Sequence, residues 1–258
     1  MPKGTRLNFT LVFAIGISLF GSFTTLMIAL YQPVSQEDFF WRKPIIGSAF
    51  SLICISGLIT VFFPKKCSEI VYLNETERPT DSDDENSSVH KAPIILKGHH
   101  PACGRFSAHI VRISRHVFCA ACAGLLLGAI IAFTGAVLYF FAGRDFEQLG
   151  FLTVLVGQVG LILGFIQFKF RGYARLIINA FFVFATFLTL TGIDRLTENM
   201  FIDVYMIVLI IFWLWTRIMI SEWDHLRICY ACGQHCEAER KMDALVSSAR
   251  PVKSASYN

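Results

Sequence analysis

Six of the eight cysteines and six of the seven histidines of this chain fall in two short stretches. The first holds His99, His100, Cys103, His109, His116, Cys119 and Cys122; the second holds His225, Cys229, Cys232, His235 and Cys236. Two pairs, Cys119-x2-Cys122 and Cys229-x2-Cys232, have the spacing at which neighbouring thiolates occupy two corners of one tetrahedral ion. A site of four thiolates is the simplest reading. Each stretch also carries four ligands by itself, Cys103-x5-His109-x9-Cys119-x2-Cys122 and His225-x3-Cys229-x2-Cys232-x3-Cys236, so spacing leaves one ion or two open. Mixed thiolate and imidazole ligation favours zinc, with a single iron as the alternative for an all-thiolate site. A chance scatter of soft side chains fits paired spacings poorly, and a disulfide framework fits a reducing cytosol poorly. Neither pair is followed by His, as covalent haem attachment requires: Ala123 follows Cys122 and Gly233 follows Cys232.

The other chemistry-bearing residues are fewer. His99-His100, between Gly98 and Pro101, are the catalytic candidates, as proton carriers beside a metal-bound water. Cys54 and Cys67 read as ordinary small side chains. No nucleophile with a recognisable base, no phosphate-cradling glycine loop and no cofactor fingerprint is present.

The elements that must position these ligands are membrane spans. The chain has 258 residues, 54% hydrophobic and only 16% charged, with a mean hydropathy of +0.55. Its apolar residues come in unbroken runs rather than at helical or strand period, which excludes a secreted disulfide scaffold, a disordered chain and an ordinary soluble enzyme. Six runs approach the roughly twenty residues that cross a hydrocarbon core: Phe9 to Tyr31, Ile45 to Phe63, Val117 to Ala142, Leu149 to Phe168, Arg175 to Ile193 and Phe201 to Ile220. The fifth is the least regular, because Arg175 and Asn179 make its first turn polar. The expected fold is an all-α membrane protein of six transmembrane helices with a small cytosolic Cys/His-rich metal-binding module.

Six crossings put both termini on one side with the long segment from Pro64 to His116. Of the 23 Lys and Arg residues only Arg42, Lys43, Arg144 and Arg195 fall on the other side. The positive-inside rule therefore predicts cytosolic termini in a cell membrane. The net charge of +4 follows from this flanking pattern, not from a nucleic-acid-binding stripe. Along the chain, 1–64 hold the first two spans, 65–97 an acidic disordered linker, 98–122 the first Cys/His-rich segment, 117–222 the remaining spans, 223–236 the second Cys/His-rich segment and 237–258 a disordered tail. Gly124-x3-Gly128 and Gly160-x3-Gly164 are small-residue patterns that predict close helix packing, and Gln158 and Asn179 are expected to hydrogen-bond across helices.

Between Cys103 and Cys119, Phe106, Ile110, Ile113 and Val117 recur at helical spacing, with Arg105, His109, Arg112 and His116 on the neighbouring stripe. The preferred reading is a basic amphipathic helix on the headgroups, attracting anionic lipid or an anionic lipid-linked substrate. The competing reading is a hairpin turning at Ser114-Arg115, like the strand pair before a zinc-ribbon knuckle.

His99-His100-Pro101-Ala102-Cys103-Gly104-Arg105-Phe106, followed by Cys119-Ala-Ala-Cys122-Ala-Gly124, resembles a motif of a family of uncharacterised prokaryotic multi-pass membrane proteins. That family carries Cys-His-Gln, then Arg-Ser-Phe, then Cys-x-Arg-Cys-Thr-Gly before a span. The likeness covers about thirty residues. Ala121 stands where the family has Arg, Ala123 where it has Thr, and the His pair precedes its Cys. The resemblance implies membrane class and metal ligation and supplies no reaction. Three functions are in play: a membrane metalloprotein whose zinc site joins the third and sixth spans, as scaffold or as active site for a lipid-like substrate; a thiol/quinone oxidoreductase using the Cys pairs; and a metal transporter or sensor. The last lacks a mid-membrane carboxylate or histidine, since Asp194 and Asp203 belong near the opposite interface.

Overall fold

The computed structural model describes residues 9–32, 40–62, 109–113, 116–144 and 150–232. The acidic linker, His99, His100, Cys103, Cys236 and the tail lie outside the described residues. Helices α1 (Phe9–Tyr31) and α2 (Arg42–Phe62) are followed by strands β1 (Ile110–Ile113) and β2 (His116–Cys119), then by α3 (Ala120–Ala136), α4 (Gly150–Phe165), α5 (Gly172–Thr197) and α6 (Met200–Cys232). Five helices are long and apolar enough to cross a membrane: α1, α2, α3 with its extension to Phe141, α5 and α6.

The fourth expected span differs. Helix α4 has 16 residues, about 24 Å at 1.5 Å per residue, short of a hydrocarbon core of roughly 30 Å. The chain tightens into a 3-10 turn at Gln167–Lys169, which turns the fully buried Gln167 side chain inward. The apolar run that reads as continuous to Phe168 is thus divided by a polar side chain with a structural task.

The segment ahead of α3 is a hairpin, not the preferred amphipathic helix. β1 and β2 pair antiparallel with Ile110 opposite Cys119 and Ile113 opposite His116, which leaves two residues to connect them. The physical reason is the concentration of Ile, Val and Phe around this turn; β-branched and aromatic side chains fit a pleated strand better than the narrow apolar stripe of a surface helix. Val111 is only 2% exposed, so the hairpin is anchored in the protein. As a result α3 begins at Ala120 instead of Val117.

Helix α5 is the centre of the bundle: 61% of its span is buried, against 28% for α1 and for α2. The two glycine patterns explain how it is surrounded. A Cβ at Gly124 or Gly128 of α3 would run into the backbone of α5 at Leu176 and Ala180, and one at Gly160 or Gly164 of α4 would strike Ala185 and Phe182 of α5. Small residues let these backbones approach, as lipid-embedded helices require in place of a hydrophobic driving force. Helix α1 is held to α6 by polar contacts, Ser18 Oγ donating to Thr216 Oγ1 at 2.9 Å and Trp213 Nε1 donating to the Ser18 carbonyl at 3.2 Å. The outward faces are apolar, with Phe9, Phe20, Leu52, Ile177 and Val208 all exposed, as lipid-facing surfaces are.

Two local features set the far end of the bundle. The last turn of α3 widens into a π-helix at Val137–Phe141, a geometry often found at functional positions. The connection from α5 to α6 is tight: Glu198 closes α5 in the left-handed region, φ 47°, and the Asn199 side chain accepts from the Phe201 and Ile202 amides, capping the start of α6.

Candidate functional site

Cys119 ends β2 and is the N-cap of α3, with φ −68° and ψ 120°; Cys122 follows in the first turn. The hairpin register therefore brings both sulfurs to the start of a helix, where backbone amides present partial positive charge. Both are half-buried thiols and not a disulfide. Ionised, either sulfur would lie close enough to the guanidinium of Arg217 on α6 to feel its charge.

Arg217 is 4% exposed. Its Nε donates to Asn179 Oδ1 on α5 at 3.1 Å, its Nη2 makes a further short bond to the same oxygen, and Nη2 also reaches Gln167 Oε1 at 3.2 Å. Asn179 is fixed in turn, its Nδ2 donating to the Arg175 carbonyl at 2.6 Å. The expected cross-helix bond of Asn179 is present. Gln158 has no such bond: its Nε2 lacks a hydrogen-bond partner among the described residues.

One turn before Asn179, Arg175 is 1% exposed. Its Nη1 lies 3.3 Å from Asp224 Oδ2 and 3.2 Å from His109 Nε2, and Arg227 donates to the other oxygen of Asp224 at 3.0 Å. The hairpin, α5 and α6 are thereby tied together beside the cysteine pair. Among the described residues the buried charges do not cancel: Arg175 pairs with Asp224, whereas Arg217 has only the neutral Asn179 and Gln167 as hydrogen-bond partners. A buried charge without a counter-charge costs several kcal/mol.

Of the sequence-derived candidates, the structure brings together Cys119, Cys122 and, in the adjoining network, His109. The Nε2 of His109 is engaged by Arg175 and lies 3.9 Å from Asp224. Helix α6 continues through His225, Cys229 and Cys232, so the second pair follows Asp224 by one to two turns on the same helix, beyond the apolar span that ends at Asp224. The side chains of those three residues, and all of His99, His100, Cys103 and Cys236, lie outside the described residues. Among the described residues, no three His, Cys, Asp or Glu side chains gather as metal ligands. Sequence reasoning missed Arg175, Arg217, Asp224 and Gln167 as a network; the available signal was charge at the ends of apolar runs.

A cleft of about 500 Å³ runs between α2, α3, α5 and α6, lined by Phe50, Cys54, Leu125, Val183 and Trp215, and it reaches Arg217. Its volume is that of a small-molecule site, and its walls suit an apolar chain.

The opposite end holds a second buried cluster. Arg42 Nη1, at the start of α2, lies 2.7 Å from Asp194 Oδ1 on α5 and 2.6 Å from Asp203 Oδ2 on α6. Tyr139, turned inward by the π-helix, donates to Asp194 Oδ2 at 2.7 Å. Both carboxylates are fully buried. Arg42 and the two aspartates, expected from sequence at the interface opposite the cysteines, join the ends of four helices. Compared with known protein families, with curated proteins and with solved structures, the chain matches none.

Proposed function

We propose that the chain is a multi-pass cell-membrane metalloprotein of six crossings with cytosolic termini, in which Cys119 and Cys122 supply two thiolates to a zinc ion at the hairpin end of the bundle. Cys229 and Cys232, at the end of α6, complete the site. The observation that carries this reading is Arg217: a buried guanidinium whose hydrogen-bond partners are the neutral Asn179 and Gln167, within electrostatic reach of both sulfurs. A zinc ion with four thiolates bears a net charge of −2, the kind of counter-charge that the excess of buried guanidinium calls for. The short α4, prolonged by its 3-10 turn, serves as the remaining crossing. The cleft that reaches Arg217 gives a lipid-like molecule a lateral route to this end, so the site serves as a scaffold or acts on an amphiphile.

Elemental analysis of the purified protein tests the metal. Stoichiometric zinc, with the thiols of Cys119 and Cys122 protected from alkylation until a chelator is added, is the expected result. Metal-free protein with both thiols reactive sinks the reading and favours the second one, a dithiol/quinone oxidoreductase. The same cleft supports that alternative: Cys119 and Cys122 would lose two electrons and two protons to a membrane quinone, giving one disulfide and one hydroquinone.

A further inference from the structure

The cluster at the end of the bundle away from the cysteines carries more negative than positive charge. One nitrogen of Arg42 serves both Asp194 and Asp203, and all three residues are buried. Asp194 uses both oxygens, one for Arg42 and one for the Tyr139 hydroxyl. Asp203 uses only Oδ2; its Oδ1 is buried and has no hydrogen-bond partner among the described residues. Among the described residues, two carboxylates against one guanidinium leave one uncompensated charge, and a carboxylate oxygen without a donor in a buried site is costly.

Among the described residues, the other charged groups around the cluster do not reach this oxygen. Lys43 of α2 is partly exposed and sits over the Tyr139 ring, 5.2 Å from its centroid. Arg195 of α5 pairs at 3.9 Å with Glu198, and both are partly exposed. Glu198 acts electrostatically on Arg42 and adds negative potential. The Tyr139 hydroxyl donates to Asp194. We propose that Asp194 and Asp203 together bind one monovalent cation, a proton or an alkali ion, at the orphaned Asp203 Oδ1. Occupancy would hold the starts of α2 and α6 to the end of α5 and to the π-turn of α3. This site is independent of the cysteine site and does not rest on the metal reading.

Two measurements on the wild-type protein in lipid nanodiscs test the idea, one for each source of the charge. A bound proton gives a protonated carboxylic-acid stretch in the infrared spectrum at neutral pH. Because the folded state then holds a proton that ionised aspartates in the unfolded chain lack, stability falls as pH rises, by about tenfold in the folding constant per pH unit. An alkali ion gives a saturable rise of the thermal midpoint with sodium or potassium that choline at equal ionic strength does not reproduce. Asp203→Asn leaves one carboxylate for one guanidinium and abolishes whichever response the wild type shows. Absence of both responses in the wild-type protein overturns the proposal, whether or not the variant folds.

Discussion

Arg175 and Asp194 lie on the same buried helix, about 28 Å apart along its axis at 1.5 Å per residue, and each is fully enclosed by other helices. Arg175 meets Asp224 of α6 and His109 beside the hairpin. Asp194 meets Arg42 of α2 and Tyr139 of α3. Helix α5 thus serves as a spine with a polar joint at each end. Among the described residues the joints differ in sign, with excess guanidinium at the cysteine end and excess carboxylate at the other.

Removing the acceptor of Arg217 should weaken the bundle. Asn179→Leu deletes the oxygen that receives two bonds from the guanidinium, and hydrogen bonds to charged groups are worth about 1.5–3 kcal/mol each. The thermal midpoint in detergent is expected to fall clearly, and an unchanged midpoint would show that Arg217 finds its partners elsewhere.

The same guanidinium should govern the cysteines. Arg217→Leu is expected to slow alkylation of Cys119 and Cys122 in chelator-treated protein, because the thiolate is the reactive form and a nearby cation favours it. Arg217→Lys should retain most of the rate. Equal rates in all three proteins would remove the observation on which the thiolate reading stands.

Glycine substitutions distinguish the tight seams from the lipid face. A Cβ at Gly128 meets the α5 backbone at Ala180, whereas one at Gly57, on the open side of the cleft, meets nothing within 4 Å among the described residues. Overpacking of this kind costs about 1–3 kcal/mol or more. Gly128→Leu should lower folded yield and thermal midpoint, with Gly57→Leu close to wild type; similar behaviour of the two variants would contradict the α3–α5 packing.

Tyr139→Phe tests the π-turn. The variant keeps the ring and loses only the hydroxyl that donates to Asp194, a charge-assisted bond worth about 1.5–3 kcal/mol. A lower midpoint is expected. No change in midpoint would mean that the widened turn is not there to place this hydroxyl.

Much of the architecture was legible along the chain. The spans of α1 and of α2 are runs of apolar side chains bounded by charge or proline, and length alone defines them. Gly124, Gly128, Gly160 and Gly164 announced close helix contacts because only small residues permit them in lipid. The cysteine pairs could be recognised for the same local reason, since two thiols on one turn need no knowledge of the rest of the fold. Where the preferred reading of the sequence failed, a local pattern had two solutions. The residues from Phe106 to Val117 satisfy helical spacing, yet Ile110 to Cys119 form a hairpin once Val111 has a buried surface to enter. Likewise, the run ending at Phe168 reads as one helix until Gln167 is drawn inward toward Arg217.

Composition and spacing determined that this is a chain of apolar helices with soft ligands concentrated at two places; these properties belong to single residues and their near neighbours. The partners of Arg217, Arg175, Asp194 and Asp203 were decided only by the tertiary structure. A charge flanking an apolar run looks the same in sequence whether it faces headgroups or another helix, and its cost of burial is met by residues far away in the chain. For that reason α5, whose first turn looked polar in the sequence, proved to be the most buried of the five long spans.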